Sequence, residues 1–269
     1  MLQNATGATM PSLSQHVLKA LAIRIASLPE QRAIATVLSS LDEKIDFLNR
    51  QNKTLDALAE TIFRQWFVEE ATDDWEVANL SMFAAHVKQN VKPASNPTGE
   101  YTHYSIPAFD DGMSPVIEFG SEILSNKYGV TSFSILVSKL NPRFPRIWPV
   151  GEIEAQNAIC STEFQVFRPR DFSLFGFVYY FLKSQEARDE LMMAASGTSG
   201  SHQRVRPEDI SNLKCVFPSR ERLEQHSSLV VSNINRCSAN LHQIRTLEKL
   251  RDALLPKLMS GEMRVGYDG

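Results

Sequence analysis

A duplicated pattern of apolar residues constrains the fold of this chain more than any other feature. At an offset of 192 residues, residues 54–58 (TLDAL) correspond to residues 246–250 (TLEKL) without a gap. Residues 62–67 (IFRQWF) correspond in the same way to residues 254–259 (LLPKLM). Apolar positions are kept in both copies and polar residues are not, so the sequence predicts two copies of one unit that ends in a helix.

The first copy carries the spacing of a long helix. Its apolar residues are separated by threes, fours and sevens, and they are Leu38, Leu41, Ile45, Leu48, Leu55 and Ile62. This spacing is typical of a coiled-coil seam and predicts one helix from about Glu30 to Trp66. Such a helix would be on the order of 55 Å long, which is too long for one compact core. Asn52 falls on the seam, where it is either a buried amide that costs stability and fixes the register, or a residue that faces water at a frayed seam.

The second copy predicts a similar helix near the end of the sequence. Its apolar residues are Val230, Ile234, Cys237, Leu241, Ile244, Leu247, Leu254 and Leu258. Pro218 precedes this pattern and Gly261 follows it, as expected for the two ends of a helix. Pro256 falls in the last turns, where we expect a kink.

The residues between the two helices have a different character. From Trp75 to Pro218, short β-branched and aromatic runs such as Val130–Val137 and Glu163–Phe167 are separated by proline and glycine. These runs predict a strand-rich domain. The expected fold class is therefore α+β, with one strand-rich domain flanked by two long helices.

Composition sets limits on function. Of 269 residues, 43% are hydrophobic and 22% are charged, as in an ordinary soluble globular protein. No stretch has the roughly 20 uncharged apolar residues of a membrane span, and the first residues lack the layout of a signal peptide. We therefore expect a cytoplasmic protein without membrane contact. Cys160, Cys215 and Cys237 are odd in number and far apart, so they offer neither a disulfide framework nor the Cys-x-x-Cys spacing of a zinc site, and no metal is expected.

Known catalytic signatures are missing from the sequence. It contains no phosphate-binding loop, no nucleophile elbow, no His-Glu-x-x-His and no dinucleotide-binding glycine motif. Residues 141–144 (NPRF) resemble the Asn-Pro-Pro-aromatic loop of amino-methyltransferases, but Arg143 replaces the second proline and no glycine-rich cofactor turn precedes it. We therefore expect no catalytic residues in this chain.

A glycine-containing segment, Ser196–Arg206, is the strongest candidate for nucleic-acid contact. Hydroxyl groups suit phosphate oxygens, while glutamine and arginine can make paired hydrogen bonds to adenine and guanine edges. The candidate residues are Ser199, Ser201, His202, Gln203, Arg204 and Arg206. The same composition is also typical of a surface loop that binds nothing.

A second basic cluster consists of Lys139, Arg143 and Arg146, interleaved with Phe144 and Trp148. Such a mixture suits a sugar-phosphate backbone. The net charge of the chain is −3, and residues 75–218 hold 13 Lys and Arg against 15 Asp and Glu. A DNA-binding role therefore requires the basic residues to share one face.

Four stretches of the sequence carry a family resemblance. They are residues 28–68 (LPEQRAIATVLSSLDEKIDFLNRQNKTLDALAETIFRQWFV), 159–169 (ICSTEFQVFRP), 197–219 (GTSGSHQRVRPEDISNLKCVFPS) and 250–265 (LRDALLPKLMSGEMRV). With the internal repeat, they make the chain resemble the specificity subunit of type I restriction-modification systems. The resemblance implies a non-catalytic, DNA-binding subunit whose two conserved helices pair as an antiparallel coiled coil.

The resemblance also implies a domain organisation. Residues 1–28 resemble the tail of a first target-recognition domain, 29–69 and 219–262 the two conserved helices, 70–218 one target-recognition domain, and 263–269 a C-terminal tail. A complete subunit of this family has two recognition domains. The chain is therefore expected to be a truncated product, a half-subunit that forms a homodimer, or the partner of a second specificity chain.

The partners follow from the same resemblance. They are double-stranded DNA, modification subunits that use S-adenosylmethionine, and, through the complex, a restriction subunit that uses ATP and magnesium. No cofactor is expected in this chain. Subunit docking is assigned to six residues near the helix ends, Phe63, Trp66, Phe67, Leu255, Leu258 and Met259. Two alternatives stay open: these residues pack helix against helix, or the chain is a remnant that joins another specificity subunit without reading DNA.

Overall fold

The computed structural model describes Gln15, Lys19 and residues 25–72, 75–153, 157–195, 203–216 and 220–266. The chain forms two compact units. The helical unit contains the described residues up to Phe47 and those from Gln243 onward, and the central unit is Leu48–His242. None of the described helices is long and apolar enough to cross a membrane.

Both predicted long helices are present. Helix α1 is Leu28–Arg64 and continues into a π-helical turn at Gln65–Glu69. Helix α6 is Arg220–Ser260 and runs through Pro256. It ends where Gly261 adopts a φ of 75°, a left-handed conformation that glycine reaches without steric cost.

The two helices pair in antiparallel orientation within each unit. In the helical unit, Arg251 lies 2.9 Å from Asp42, and Arg264, just beyond α6, lies 3.9 Å from Glu30 near the start of α1. The buried apolar residues of this unit are Ile34, Ile45, Ile244 and Leu258. This arrangement matches the antiparallel coiled coil that the family resemblance implied.

In the central unit the same pairing is made by side-chain hydrogen bonds. The Asn240 side chain, which is almost fully buried, donates to the Asn52 side chain at 2.7 Å. The Asn233 side chain donates to the Leu55 carbonyl oxygen at 2.9 Å. Asn52 itself is only partly buried, so it matches neither alternative fully, but its side chain accepts a hydrogen bond from the buried Asn240 across the helix pair.

The middle of the central unit is rich in short strands, as predicted. The strands are β1 (Val77–Asn79), β2 (Ala84–Val87), β3 (Asn90–Val91), β4 (Glu100–Tyr104), β5 (Val116–Phe119), β6 (Lys127–Gly129), β7 (Ile135–Ser138), β8 (Ile147–Pro149), β9 (Ala158–Cys160), β10 (Phe164–Pro169) and β11 (Lys214–Val216). They form a pair β1-β11, a sheet of order β2-β10-β7-β8 and a sheet of order β3-β6-β9-β4-β5. Neighbouring strands are antiparallel except for β4 and β9, which are parallel.

Shorter helices connect and cover these sheets. They are α2 (Ile106–Asp110), α3 (Phe175–Lys183), α4 (Gln185–Ala194) and α5 (Pro207–Ser211), with 3₁₀ turns at Leu80–Met82, Pro93–Ser95 and Phe172–Leu174. The Ser184 hydroxyl accepts a hydrogen bond from the Ala187 backbone N–H and caps α4. This serine therefore separates α3 from α4 and lets the chain change direction between them.

Helix α3 forms the centre of the larger hydrophobic core. Its residues 175–182 are all buried, because the helix is apolar on every side. The Phe177 ring lies 5.8 Å from the Phe63 ring and 5.3 Å from the Phe67 ring, both centroid to centroid. The aromatic end of α1 is therefore part of the core of the strand-rich domain.

Candidate nucleic-acid interface

The candidate interface begins with the connection between β7 and β8. Both strands are fully buried, which fixes the ends of the connecting residues 139–146. The Ser138 N–H donates to the Arg146 carbonyl oxygen at 2.9 Å. Within the connection, the Phe144 N–H donates to the Asn141 carbonyl oxygen at 3.0 Å, closing a tight turn. The predicted basic residues Lys139, Arg143 and Arg146 are thus carried on one short, closed loop.

The second predicted segment lies directly beside this loop. Leu140 and Arg204 form an antiparallel bridge. The Asn141 N–H donates to the Gln203 carbonyl oxygen at 3.0 Å, and the Val205 N–H donates to the Lys139 carbonyl oxygen at 2.9 Å. Two basic clusters that are about sixty residues apart in the sequence therefore share one edge of the sheet.

A buried glutamine holds the second segment in place. The Gln165 side chain on β10 is almost fully buried, and its amide donates to the Val205 carbonyl oxygen at 2.7 Å. Buried amides of this kind are costly unless paired, so this bond fixes the position of residues 203–205 against the sheet. The backbone that carries Gln203 and Arg204 is therefore held from two sides.

Several cations of the interface are balanced by carboxylates. Glu163 lies 3.8 Å from the Lys139 amine and 3.7 Å from the Arg204 guanidinium. Arg206 pairs with Asp209 at the start of α5, and this hydrogen bond raises the pKa of Arg206. The Lys139 amine also donates to the Thr162 carbonyl oxygen at 2.7 Å. The Arg204 and Arg206 side chains are 55% and 72% exposed, and ion pairs at such exposed positions contribute little free energy, so these two cations can exchange their carboxylate partners for phosphate.

Arg146 and Arg143 differ in how firmly they are held. Arg146 donates two hydrogen bonds to the Asp110 carboxylate, at 2.7 and 3.0 Å, and the bidentate pair lowers the pKa of Asp110. Arg143 is exposed and stacks on the Phe144 ring, with its guanidinium carbon 5.7 Å from the ring centroid. Among the described residues no carboxylate is paired with Arg143, which leaves its charge available to an anion.

Arg188 is a cation of this surface that the sequence analysis missed. It lies on α4 and lines an open groove of about 660 Å³ together with Arg143, Phe144 and Arg146. Its Nε atom is buried and has no hydrogen-bond partner among the described residues. In the sequence, Arg188 lies in a short polar helix, and nothing around it indicates more than a solvent-exposed position. Only the packing of α4 beside the 139–146 loop brings it to the interface.

The remaining candidates fall into two groups. Ser199, Ser201 and His202 lie outside the described residues. The docking residues Phe63, Phe67 and Leu258 are at most 5% exposed, so they contribute to cores and leave no side-chain surface for a partner. Trp66 is partly buried, whereas Leu255 and Met259 are 44% and 70% exposed. The apolar spacing alone does not separate Phe63 and Phe67 from exposed residues, because helix α3 covers them only in the folded chain.

The described residues contain no group of three or more His, Cys, Asp or Glu side chains that could hold a metal ion. The three cysteines are free. Burial raises the pKa of both the Cys160 and the Cys215 thiols to about 12. These two thiols are therefore protonated at neutral pH and poorly suited to nucleophilic chemistry.

Sequence comparisons agree with the resemblance found above. The family model of the type I restriction modification DNA specificity domain matches residues 1–57. The type I restriction enzyme MjaIX specificity subunit of Methanocaldococcus jannaschii is 26% identical over 297 residues, which cover 96% of this chain and 64% of that protein. The HindI specificity subunit of Haemophilus influenzae is 28% identical over 69 residues, which cover 26% of this chain and 15% of that protein. The chain spans less than two thirds of the length of these relatives.

The fold has a counterpart among solved structures. The crystal structure of the type I restriction-modification S subunit from M. genitalium matches with a TM-score of 0.59 at 16% identity, covering 95% of this chain and 68% of that chain. At this identity the similarity concerns the fold: a strand-rich domain with two long helices. In sequence and in fold, this chain is therefore similar to the specificity subunits of type I restriction-modification systems.

Proposed function

We propose that this chain is a DNA-sequence-recognition subunit, and that its strand-rich domain reads one half of a split target. The observation that carries the proposal is the pairing of residues 139–141 with residues 203–205. This pairing brings two basic segments side by side in a domain whose net charge is negative, and such a local cluster of cations is what DNA binding requires.

The chemistry of the surface assigns different roles to its residues. Gln203 and Arg204 carry the side chains that can make paired hydrogen bonds to adenine and guanine edges in the major groove. Lys139 and Arg143 suit the sugar-phosphate backbone, where contacts position the protein but carry no sequence information. Ser199, Ser201 and His202, which lie outside the described residues, stay candidates for DNA contact because of their side-chain chemistry. Arg206 and Arg146 follow Arg204 and Arg143 along the chain and are further candidates.

The two long helices suit a spacer between half-sites and a docking element for modification subunits. The exposed apolar residues Leu255 and Met259 are the best candidates for docking, since neither is buried in the helical unit. In this proposal S-adenosylmethionine is bound by the modification subunits, and ATP and magnesium by a restriction subunit that joins through them. A homodimer or a second specificity chain would supply the other half-site.

Selection of bound duplexes from a randomised DNA library tests whether the chain recognises a DNA sequence. The full chain in complex with its modification subunit is incubated with a library of randomised duplexes, and the retained sequences are determined. We expect a short enriched motif for the wild-type complex and an altered or weakened motif for Arg204→Gln. The matched control is Arg236→Gln, an exposed arginine of α6 away from this edge, which should leave the motif unchanged. A complex that retains duplexes without sequence enrichment would contradict the proposal and favour a remnant that does not read DNA.

A further inference from the structure

The turn at residues 141–146 exposes the aromatic ring of Phe144, which is not buried against the sheet. The Phe144 side chain is 63% exposed, although the strands on both sides of the turn are buried. Among the residues that the structure describes, it is the most exposed phenylalanine. Phe109 and Phe164, by contrast, pack around Trp148.

The turn holds this ring in a fixed position. Pro142 and Pro145 flank Arg143 and Phe144, and each proline restricts the backbone at its own position. Asn141 has a φ of 50°, and its carbonyl oxygen accepts the hydrogen bond from the Phe144 N–H. The bidentate contact between Arg146 and Asp110 anchors the far end of the turn to α2. A ring held in this way loses little conformational entropy when it binds.

Arginines outnumber carboxylates around the ring: the groove is lined by Arg143, Arg146 and Arg188, and by Asp189 and the Asp110 carboxylate that Arg146 contacts. This excess of positive charge favours a polyanion over an apolar partner. Arg143 stacks on Phe144, and Arg188 lines the same groove with a buried Nε atom that has no partner among the described residues. An apolar protein surface would bury both guanidinium groups without giving them acceptors, which is costly. Phosphate oxygens on either side of a base step would supply those acceptors.

We propose that Phe144 is a wedge that stacks against a DNA base at a locally opened base step, while Arg143 and Arg188 contact the neighbouring phosphates. This inference rests on the proposed DNA-reading function and adds deformation of the duplex to it. Apolar side chains inserted between base pairs unstack them at a cost that depends on the step, so the wedge contributes to sequence preference without hydrogen bonds to base edges.

A comparison of intact and disrupted duplexes tests the wedge. The full chain is titrated with a fully paired duplex and with the same duplex carrying one unpaired adenine, and the two dissociation constants are measured. Because the unpaired site removes part of the unstacking cost, we expect the wild-type chain to prefer the disrupted duplex by about tenfold. Phe144→Ala should abolish that preference, and Phe144→Trp should retain it. Phe119→Ala changes an exposed phenylalanine on β5 and should behave as the wild type.

The salt dependence of DNA binding tests the proposed phosphate contact of Arg188. Arg188→Gln should weaken binding to both duplexes equally and reduce the slope of log affinity against log salt by about one.

If Phe144→Ala keeps the full preference for the disrupted duplex while Arg204→Gln weakens binding to both, the wedge is wrong and the DNA-reading surface stands. If the wild-type chain binds neither duplex more tightly than a variant lacking Arg143 and Arg204, both proposals fail. If Phe144→Ala changes only co-purification with the modification subunit, the ring belongs to a protein interface and the wedge is overturned.

Discussion

Leu140 and Arg204 lie opposite each other in an antiparallel bridge, and this contact joins the two basic segments of the chain. Leu140 follows the buried strand β7, so the bridge ties Arg204 to the rigid part of the sheet. The Arg204 side chain remains 55% exposed and lies 3.7 Å from Glu163. A rigid backbone with an exposed guanidinium is the arrangement that base recognition requires.

Replacing Arg204 tests base contact directly. We expect Arg204→Ala to weaken binding to the preferred sequence by about 1–3 kcal/mol, and binding to random DNA by much less. Fluorescence anisotropy with both duplexes provides the measurement. Equal losses on the two duplexes would assign Arg204 to the phosphate backbone instead.

Removing the charge of Glu163 should strengthen DNA binding, which is the opposite of the effect expected for Arg204→Ala. Its carboxylate lies within 4 Å of both Lys139 and Arg204 and competes with phosphate for them. Glu163→Gln should therefore raise the affinity for random DNA by a few-fold and steepen the salt dependence. The control is Glu221→Gln at the start of α6, which should change neither quantity. A lower affinity for Glu163→Gln would show that the carboxylate positions the cations rather than competing for them.

His226 makes the stability of the central unit sensitive to acid. Burial lowers the pKa of His226 to about 4, and its Nε2–H donates to the Ala59 carbonyl oxygen at 3.1 Å. Because the folded state favours the neutral ring, its contribution is complete above pH 6.5 and is lost as the pH falls from 6.5 toward 4. This loss amounts to about 3 kcal/mol.

Denaturant unfolding between pH 7 and pH 4.5 measures this loss. We expect His226→Gln, which keeps an N–H donor, to lower the free energy of unfolding at pH 7 and to flatten its pH dependence. His86 and His103 also have lowered pKa values and leave a smaller residual slope. A variant with the same slope as the wild type would show that His226 does not titrate in this range.

Asp56 anchors helix α3 to helix α1. Its carboxylate accepts hydrogen bonds from the Tyr180 hydroxyl at 2.8 Å and from the Lys183 amine at 2.9 Å. Asp56→Ala should lower the free energy of unfolding by about 1–2 kcal/mol, because both donors lose a charged acceptor. Asp46→Ala, on an exposed position of the same helix, should cost less than about 0.5 kcal/mol. Equal effects of the two changes in urea titrations would argue against the anchor.

The docking proposal concerns the exposed residues of α6. The double change Leu255→Glu and Met259→Glu should abolish co-purification with the modification subunit and leave the melting temperature nearly unchanged, because both side chains are exposed. Leu124→Glu, on a residue of the central unit that is 94% exposed, is the matched control. Intact co-purification of the double variant would move docking to another surface.

The long helices could be predicted from sequence because their signal is repeated over many turns. Leu38, Ile45 and Leu55 share one heptad seam, and observed helix α1 begins within two residues of its predicted start. The strands of the central unit are only two to six residues long. For such short runs periodicity indicates a strand-rich domain but not the order of the strands.

The arrangement of the candidate site could not be predicted, because it depends on contacts between residues that are far apart in the sequence. The side-chain chemistry of Gln203 and Arg204 can be recognised in the sequence, but their position beside Lys139 follows from the long-range bridge between Leu140 and Arg204. Likewise, Phe63 and Phe67 fit both a docking surface and a core until helix α3 is placed against them. No sequence pattern singled out Arg188, because its proposed role depends on the packing of α4 beside the 139–146 loop.

Sequence-specific methylation tests the central claim most directly. The chain is co-expressed with its modification subunit in cells that lack other adenine methylation of this type, and methylated adenines are mapped across the genome. The proposed function predicts new methylation at a split motif that Arg204→Gln weakens or alters. A palindromic motif would indicate a homodimer, and an asymmetric one a second specificity chain. A stable complex that produces no new methylation would contradict the claim that this chain reads DNA.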